Sequence, residues 1–517
     1  MGRRVRVRGA TGRAVRAGGP TLVALTEHDV ASGDGSVPAG RAPLTPQPGG
    51  TPVQVPVQGS RAAPERAGRG GAGPCAGSGS AGSGGAGPGG AGGGGAEAAE
   101  GILRRHAVRE SAARTYAHSL PIVPVRARGL TIEGADGRRY LDCLSGAGSL
   151  PLGHNHPVVL EAVRGVLDSG APLHVLDLAT PVKDAFTTEL FATLPGELAA
   201  DARIQFCGPT AADAVEAALK LVRAATGRSG LLAFTGAGHD VAPDVRVTRL
   251  PYPHDLRCPF GVGGAEGARL GARWTESLLD DPQGGVPAPA GMLVEPVQGE
   301  GGVLPAPDPW LRRMREITEV RGIPLIADEV QTGVGRTGAF WGVDHAGVVP
   351  DVMVMSKAIG GSLPLAVVVY RSGLDAWAPG AQAGTFRGNQ LAMAAGTATL
   401  AFVREHRLAE RAGALGARML TALHGLTGDH PCIGDVRGRG LMIGVELVDP
   451  ETRAAAPDLA AAVRQECLRR GLIVDLAGRH SSVVRLLPPL TLTDEQAGAV
   501  LDRLADAIPA AAARRPH

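Results

Sequence analysis

From residue 101 onwards the chain alternates two hydrophobic patterns. One is a set of short runs that are apolar at nearly every position: LLAF (231–234), GMLVEPV (291–297), IPLIADEV (323–330), DVMVMSK (351–357) and LAVVVYR (365–371). The other spaces its apolar residues three and four apart. HPVVLEAVRGVLDSG (156–170) sets Val159, Ala162, Val163 and Val166 on one face and stops at Gly170; a stretch over 211–225 does the same with Val215, Ala218, Leu219 and Val222. Runs apolar on both faces, separated by amphipathic helices, predict an α/β fold with a buried parallel or mixed sheet. GRRYLDCL (137–144), after the turn pair Asp136-Gly137, and ARIQFCG (202–208) read as further strands. From about residue 405 the order becomes helix, GLMIGVEL (440–447), a helix over 457–470, GLIVDL (471–476), VVRLL (483–487) and a last helix, which predicts a separate α+β domain. The expected organisation is a tail over 1–100, a segment 101–169 contributing to the small domain, a large domain 170–404 and a small domain 405–517. No internal repeat is visible.

Composition changes the picture mainly at the N-terminus. Residues 1–100 hold 27 of the 77 glycines and no Phe, Trp or Tyr; the first aromatic is Tyr116. Such a segment lacks the large apolar side chains that offset the entropy of ordering, so a disordered Gly/Ala/Arg-rich tail is expected. Its opening, MGRRVRVRGATGRAVRAG, is free of acids, as transit peptides are, but has no apolar signal core; a tail or an over-extended start is the expectation. The 52 Lys and Arg against 50 Asp and Glu argue against a charge-driven nucleic-acid or membrane partner. No stretch reaches the roughly 18 apolar residues of a membrane span. Cys75, Cys143, Cys207, Cys258, Cys432 and Cys467 form no framework or zinc motif, which fits a reducing, cytoplasmic setting.

Candidate chemistry gathers at strand ends, where open α/β sheets bind ligands. Asp328, Lys357 and Glu295 end three apolar runs, and Gly208-Pro209-Thr210 follows a fourth and opens a helix. The chain has only three lysines, Lys183, Lys220 and Lys357. Lys357, at the end of a core run, is placed for a lowered pKa and Schiff-base chemistry with a carbonyl; the plain alternative is a lysine snorkelling outward. Lys220 reads as the exposed side of a helix and Lys183 as a helix start. A small-residue turn at a helix N-terminus suits a phosphate, although an ordinary N-cap explains it equally, and Pro209 removes one donor. His154-Asn155-His156 reads as a structural turn rather than a metal site. Gly146-Ala147-Gly148 reads as a small-residue loop that shapes a substrate mouth or merely turns. Glu216 reads as a helix residue near a subunit contact.

IADEVQTGVGRTG (326–338), SKAIGG (356–361), EPVQGEGG (295–302), GTFRGNQLAMAAG (384–396) and VVRLLPPL (483–490) together resemble the class III aminotransferases, fold-type I enzymes that use pyridoxal phosphate. LPLGHNHPVV (150–159), LDLATPVKDAF (176–186), FCGPTAADAVEAALKLV (206–222), LPYPHDLRCPFG (250–261) and VRGRGLMIGVEL (436–447) are similar to the diaminobutyrate–2-oxoglutarate branch, especially its siderophore-pathway members. The resemblance covers about 101–510. It implies a large domain with a mostly parallel seven-stranded sheet, a smaller α+β domain, and ping-pong exchange between L-2,4-diaminobutyrate plus 2-oxoglutarate and L-aspartate 4-semialdehyde plus L-glutamate.

The resemblance also implies roles. Lys357 would hold the cofactor and shuttle a proton, Asp328 would pair with the pyridine nitrogen, and Gln331 would lie beside the ring hydroxyl. Gly208, Pro209 and Thr210 would hold the phosphate, with Thr385 reaching the phosphate of a neighbouring subunit, hence a homodimer with shared sites. Arg485 would clamp the substrate carboxylate and Glu300 would pair with Arg485 when an amine arrives instead. One departure stands out. Gly238 occupies the place of the family's ring-stacking Tyr or Phe, with His239 and Asp240 after it, in a segment short for the family. Loss of a stacked ring is worth on the order of 1–2 kcal/mol of cofactor binding, unless His239 stacks in its place. Sibling activities on ornithine or 4-aminobutyrate, an isomerase on the same scaffold, and an inactive homologue are the alternatives that follow.

Overall fold

The computed structural model describes residues 93–113, 116–237 and 245–514. Most of the expected tail, and Gly238, His239 and Asp240, lie outside the described residues. A helix spans Gly93–Arg109, in which Ala, Glu, Leu and Arg, all strong helix formers, follow the last glycines of the run.

Seven strands form the main sheet, in the order Ala202–Phe206, Val367–Arg371, Val352–Met355, Leu325–Asp328, Pro289–Val294, Gly230–Phe234 and Val247–Leu250. Val367–Arg371 runs antiparallel to both its neighbours, and the other pairings are parallel. This is the mostly parallel seven-stranded sheet of the expected α/β fold. Every residue of Pro289–Val294, Leu325–Asp328 and Val352–Met355 is buried, which is why these runs show no polar alternation. Each fully buried Val, Leu or Ile there contributes about 1.5–3 kcal/mol of transfer free energy.

Helix Ala211–Thr226 covers one face, burying Val215, Leu219, Leu221 and Val222 against Pro289–Val294 and Val352–Met355. Thr210 and Asp213 close its N-terminus as a reciprocal capping box, and Gly227 ends it at φ 67°.

A second sheet runs Ile433–Arg439, Met442–Leu447, Val483–Leu486, Asp475–Ala477, antiparallel throughout. A third joins Pro124–Arg128, Thr131–Gly134 and Arg139–Asp142 to Leu472–Ile473, so an N-terminal hairpin unit is zipped to the C-terminal part. GLIVDL is thus two strands in two sheets rather than one. Ile433–Arg439, with half-buried polar positions, and the short strands near residue 130 carry too little alternation to be read from sequence. No helix among the described residues is long and apolar enough to cross a membrane.

Candidate active site

Three neighbouring strands of the main sheet deliver the polar groups. Asp328 is the last residue of Leu325–Asp328 and is buried, with Oδ1 accepting the Val330 N–H at 3.0 Å. Lys357 follows Val352–Met355 in a left-handed conformation, φ 51°, a local strain of the kind that clusters at functional sites. Its Nζ donates to the Ala147 carbonyl at 2.9 Å. Burial lowers the pKa of this amine and the Arg485 guanidinium adds to the effect, against the opposing pull of Glu300 and Asp328.

Glu295 follows Pro289–Val294. Its Oε2 accepts the Gly299 N–H at 3.1 Å, and its carbonyl accepts the Tyr252 hydroxyl at 2.8 Å. These two bonds fix the turn that presents Glu300. A small space beside them is bounded by Glu295, Glu300, Asp328, Val330 and Gln331.

Arg485 comes from the other sheet and is 1 % exposed. It donates to Glu300 Oε1 at 2.8 Å, to Gln331 Oε1 at 3.4 Å, and to Asp475 Oδ2 at 2.6 Å. Gln331 Nε2 also donates to Glu300 Oε1, at 3.0 Å. Burial works against the charge on Glu300, but Arg485 and Gln331 outweigh it and hold the carboxyl below its ordinary value. The expected Arg485, Glu300 and Gln331 therefore lie together beside Lys357.

Sequence reasoning missed Asp475, which faces Arg485 across the antiparallel register of Asp475–Ala477 and Val483–Leu486. It also missed Tyr116, whose hydroxyl is raised first by burial and then by the charge of Asp475. A lone Asp inside the apolar GLIVDL run was the available signal for the first; nothing marked the second.

At the phosphate end, Thr210 N and Oγ1 both donate to Asp213 Oδ2, at 2.9 and 2.6 Å. Pro209 has no N–H. A Cβ at Gly208 would lie 2.6 Å from the Asp213 carboxylate. The next residues of the helix, Ala211 and Ala212, have first-turn N–H groups that need a partner from outside the helix.

Thr385 is exposed, in a loop that Arg387 holds through the Gly384 and Gln382 carbonyls at 2.8 Å each. His154 Nε2 lies 2.8 Å from Asp142 Oδ2, and His156 packs edge-on against Phe402, so the HNH motif is structural. Asp142 Oδ1 in turn accepts the N–H groups of Leu144 and Ser145, shaping the loop whose Ala147 meets Lys357.

The class III aminotransferase family matches this chain over residues 112–242 and 244–508. The chain is a class III aminotransferase. The break in the match falls at residue 243, inside the segment already noted as short. This aminotransferase is 51% identical over 434 residues to the diaminobutyrate–2-oxoglutarate aminotransferase of Rhizobium meliloti, covering 79% of this chain and 92% of that one. It is 42% identical over 433 residues to the enzyme of that name from Haemophilus influenzae, covering 78% and 94%. Among solved structures, an (S)-enantioselective omega-transaminase from Thermomicrobium roseum superposes with TM-score 0.71 at 27% identity, over 80% of this chain and 98% of that one. An amine transaminase from an uncultivated Pseudomonas species, in its PLP-bound form, gives 0.69 at 29%, over 78% and 98%.

Pyridoxal phosphate is the cofactor of this aminotransferase class, and the residues present fit it. A buried carboxylate and a lysine of lowered pKa stand at adjacent strand ends, with helix N–H donors on the same sheet's rim.

The residue after Asp328 carries a testable consequence of its own. Glu329 is buried and accepts the Gly342 and Val343 N–H groups at 2.9 Å each and the Thr332 hydroxyl, tying the Asp328–Gln331 turn to the next loop. Burial, against these three donors, raises its carboxyl to about 7. A raised acid pKa means the folded state binds the proton more tightly than the unfolded state. The resulting stability is fully present below pH 4.5 and is lost as pH rises through 7, by at most about 3 kcal/mol. Denaturant midpoints from pH 5 to 8 should therefore fall more steeply for the native chain than for Glu329→Gln. Parallel curves would contradict this.

Proposed function

We propose that this aminotransferase interconverts L-2,4-diaminobutyrate plus 2-oxoglutarate with L-aspartate 4-semialdehyde plus L-glutamate, in two half-reactions. The observation that carries the reading is the Arg485–Glu300 contact at 2.8 Å beside Lys357, in a chain half-identical to a relative bearing that activity's name.

Pyridoxal phosphate, when bound, supplies the electron sink that lets a carbon–hydrogen bond beside an amine break. In this proposal Lys357 Nζ would hold the cofactor covalently and carry the proton between substrate carbon and cofactor, a role that suits an amine whose pKa burial lowers. Asp328 holds the ring nitrogen protonated, and Gln331 flanks the ring hydroxyl. The Gly208-Pro209-Thr210 turn would hold the phosphate, with the first-turn N–H groups of Ala211 and Ala212 beside it at the helix N-terminus.

Arg485 binds the carboxylate next to the reacting carbon of glutamate or 2-oxoglutarate once Glu300 swings aside. With diaminobutyrate bound, Glu300 stays on Arg485 and neutralises it. Asp475 keeps the guanidinium in place in both states, because its bond does not compete with the substrate.

A homodimer is part of the proposal. Thr385 would reach the partner subunit's phosphate site from its exposed loop. Beside it lie Phe386, Leu178, Leu176 and Leu173, 72, 65, 48 and 47 % exposed, and the Phe386 ring packs against His174. Such a cluster of exposed apolar side chains marks a contact surface.

Steady-state rates with diaminobutyrate and 2-oxoglutarate varied against each other test the reading. Parallel double-reciprocal lines are expected, with kcat/KM for diaminobutyrate at least about tenfold above ornithine and 4-aminobutyrate. Preference for either of those donors, or intersecting lines, would contradict it.

A further inference from the structure

A cavity of about 490 Å³ opens next to the Glu300 turn. Its floor includes Gly301 and Gly478, the latter donating its N–H to the Glu300 carbonyl at 2.9 Å. One wall carries Thr235, Arg249 and Pro251, which flank the segment where the family match breaks; the other carries Arg437, Glu446 and Arg479 from the antiparallel sheet.

Charge in this cavity is one-sided. Among the described residues four arginines line it, Arg249, Arg257, Arg437 and Arg479, against the single carboxylate of Glu446. That carboxylate is already shared by Arg257 at 2.8 Å and Arg437 at 2.7 Å. Among the described residues Arg249 and Arg479 pair with no acid, and both are exposed at the rim. Burial, with the Arg437 guanidinium, pushes His254 down to about 4, so this imidazole stays neutral in the same field. Aromatic side chains supply much of the remaining surface. Tyr252, Phe260 and Trp274 line it, and Trp274 is 53 % exposed, which is unusual for so large a side chain with nothing to bind. The volume lies within the range of small-molecule sites.

We propose that this cavity binds a small organic anion with a flat apolar body, its acidic group on Arg249 and Arg479 and its ring against Trp274. Two unopposed guanidiniums select an anion and offer it forked donors, while the aromatic wall favours a planar body over an inorganic ion. The site is separate from the cofactor cleft and does not rest on the donor specificity proposed above.

The test titrates 8-anilinonaphthalene-1-sulfonate into the full chain loaded with pyridoxal phosphate. One saturable site per chain is expected, with quenching of tryptophan emission that is lost in Trp274→Ala. Combined Arg249→Glu and Arg479→Glu should weaken binding at least tenfold. The uncharged analogue N-phenyl-1-naphthylamine should bind at least tenfold more weakly than the sulfonate. Equal binding of the uncharged analogue, equal affinity in the double variant, or displacement of the probe by 2-oxoglutarate would each overturn the proposal.

Discussion

Lys357→Ala is expected to lower amine transfer by at least roughly 10³-fold, the scale of a lost general acid–base group, and to leave no lysine able to hold the cofactor. The other two lysines are committed elsewhere. Lys220 is ion-paired to Glu216 at 2.6 Å on the exposed side of its helix. Lys183 donates to the Asp177 carbonyl at 3.0 Å with its amine 5.0 Å from the Phe206 ring centroid. Arginine at 357 should fail as well, because it keeps the charge and lacks a deprotonable amine. The measurement is transfer rate together with the mass of the borohydride-reduced, cofactor-loaded chain. The native chain should carry one adduct, on Lys357, and the variant none. Activity within tenfold of native, or an adduct on Lys183 or Lys220, would show that the strand-end assignment is wrong.

Arg485→Ala is expected to separate the two half-reactions. The glutamate half-reaction should lose at least about 30-fold in rate constant over Kd, corresponding to the roughly 2 kcal/mol or more that a buried charge partner commonly supplies to a bound carboxylate. The diaminobutyrate half-reaction should lose less than about tenfold, since there Arg485 is only neutralised by Glu300. The variant also strands the half-buried Asp475, which pairs with Arg485, so part of any loss is structural. Arg485→Lys controls for this. It keeps a cation for Asp475 but cannot make the two-pronged bond, and it should show the same asymmetry with a smaller amplitude. Equal losses in both half-reactions, in both variants, would remove the switch between Glu300 and Arg485.

The parts of this molecule that were legible in the sequence are those set by local chemistry. Uninterrupted apolar runs ended by Glu295, Asp328 and Lys357 showed both the buried strands and the polar rim, because a fully buried parallel strand can place a charge only at its end. The motif order carried the cofactor and the Arg485–Glu300 pairing. What stayed hidden depends on register or on competition between nearby groups. Asp475 meets Arg485 only because one strand returns antiparallel to another across ten residues. Asp213, three residues on from Thr210, accepts from both the N–H and the hydroxyl of Thr210, a reciprocal cap that only the folded turn reveals. Ala147 offers Lys357 a carbonyl, a group that every residue has and that no side-chain pattern reveals. The arginine cavity escaped notice because its walls come from segments near 250, 437 and 479 that share no motif.

The most direct test of the account follows the visible absorbance of the chain loaded with pyridoxal phosphate through a single turnover. On adding L-2,4-diaminobutyrate the band of the lysine-bound cofactor should bleach as L-aspartate 4-semialdehyde is released, and 2-oxoglutarate should restore it with stoichiometric L-glutamate. A band that forms but does not respond to diaminobutyrate, while ornithine or 4-aminobutyrate bleaches it, would contradict the proposed donor. Failure of the chain to acquire any band would contradict the active site itself and would place the fault at Gly238.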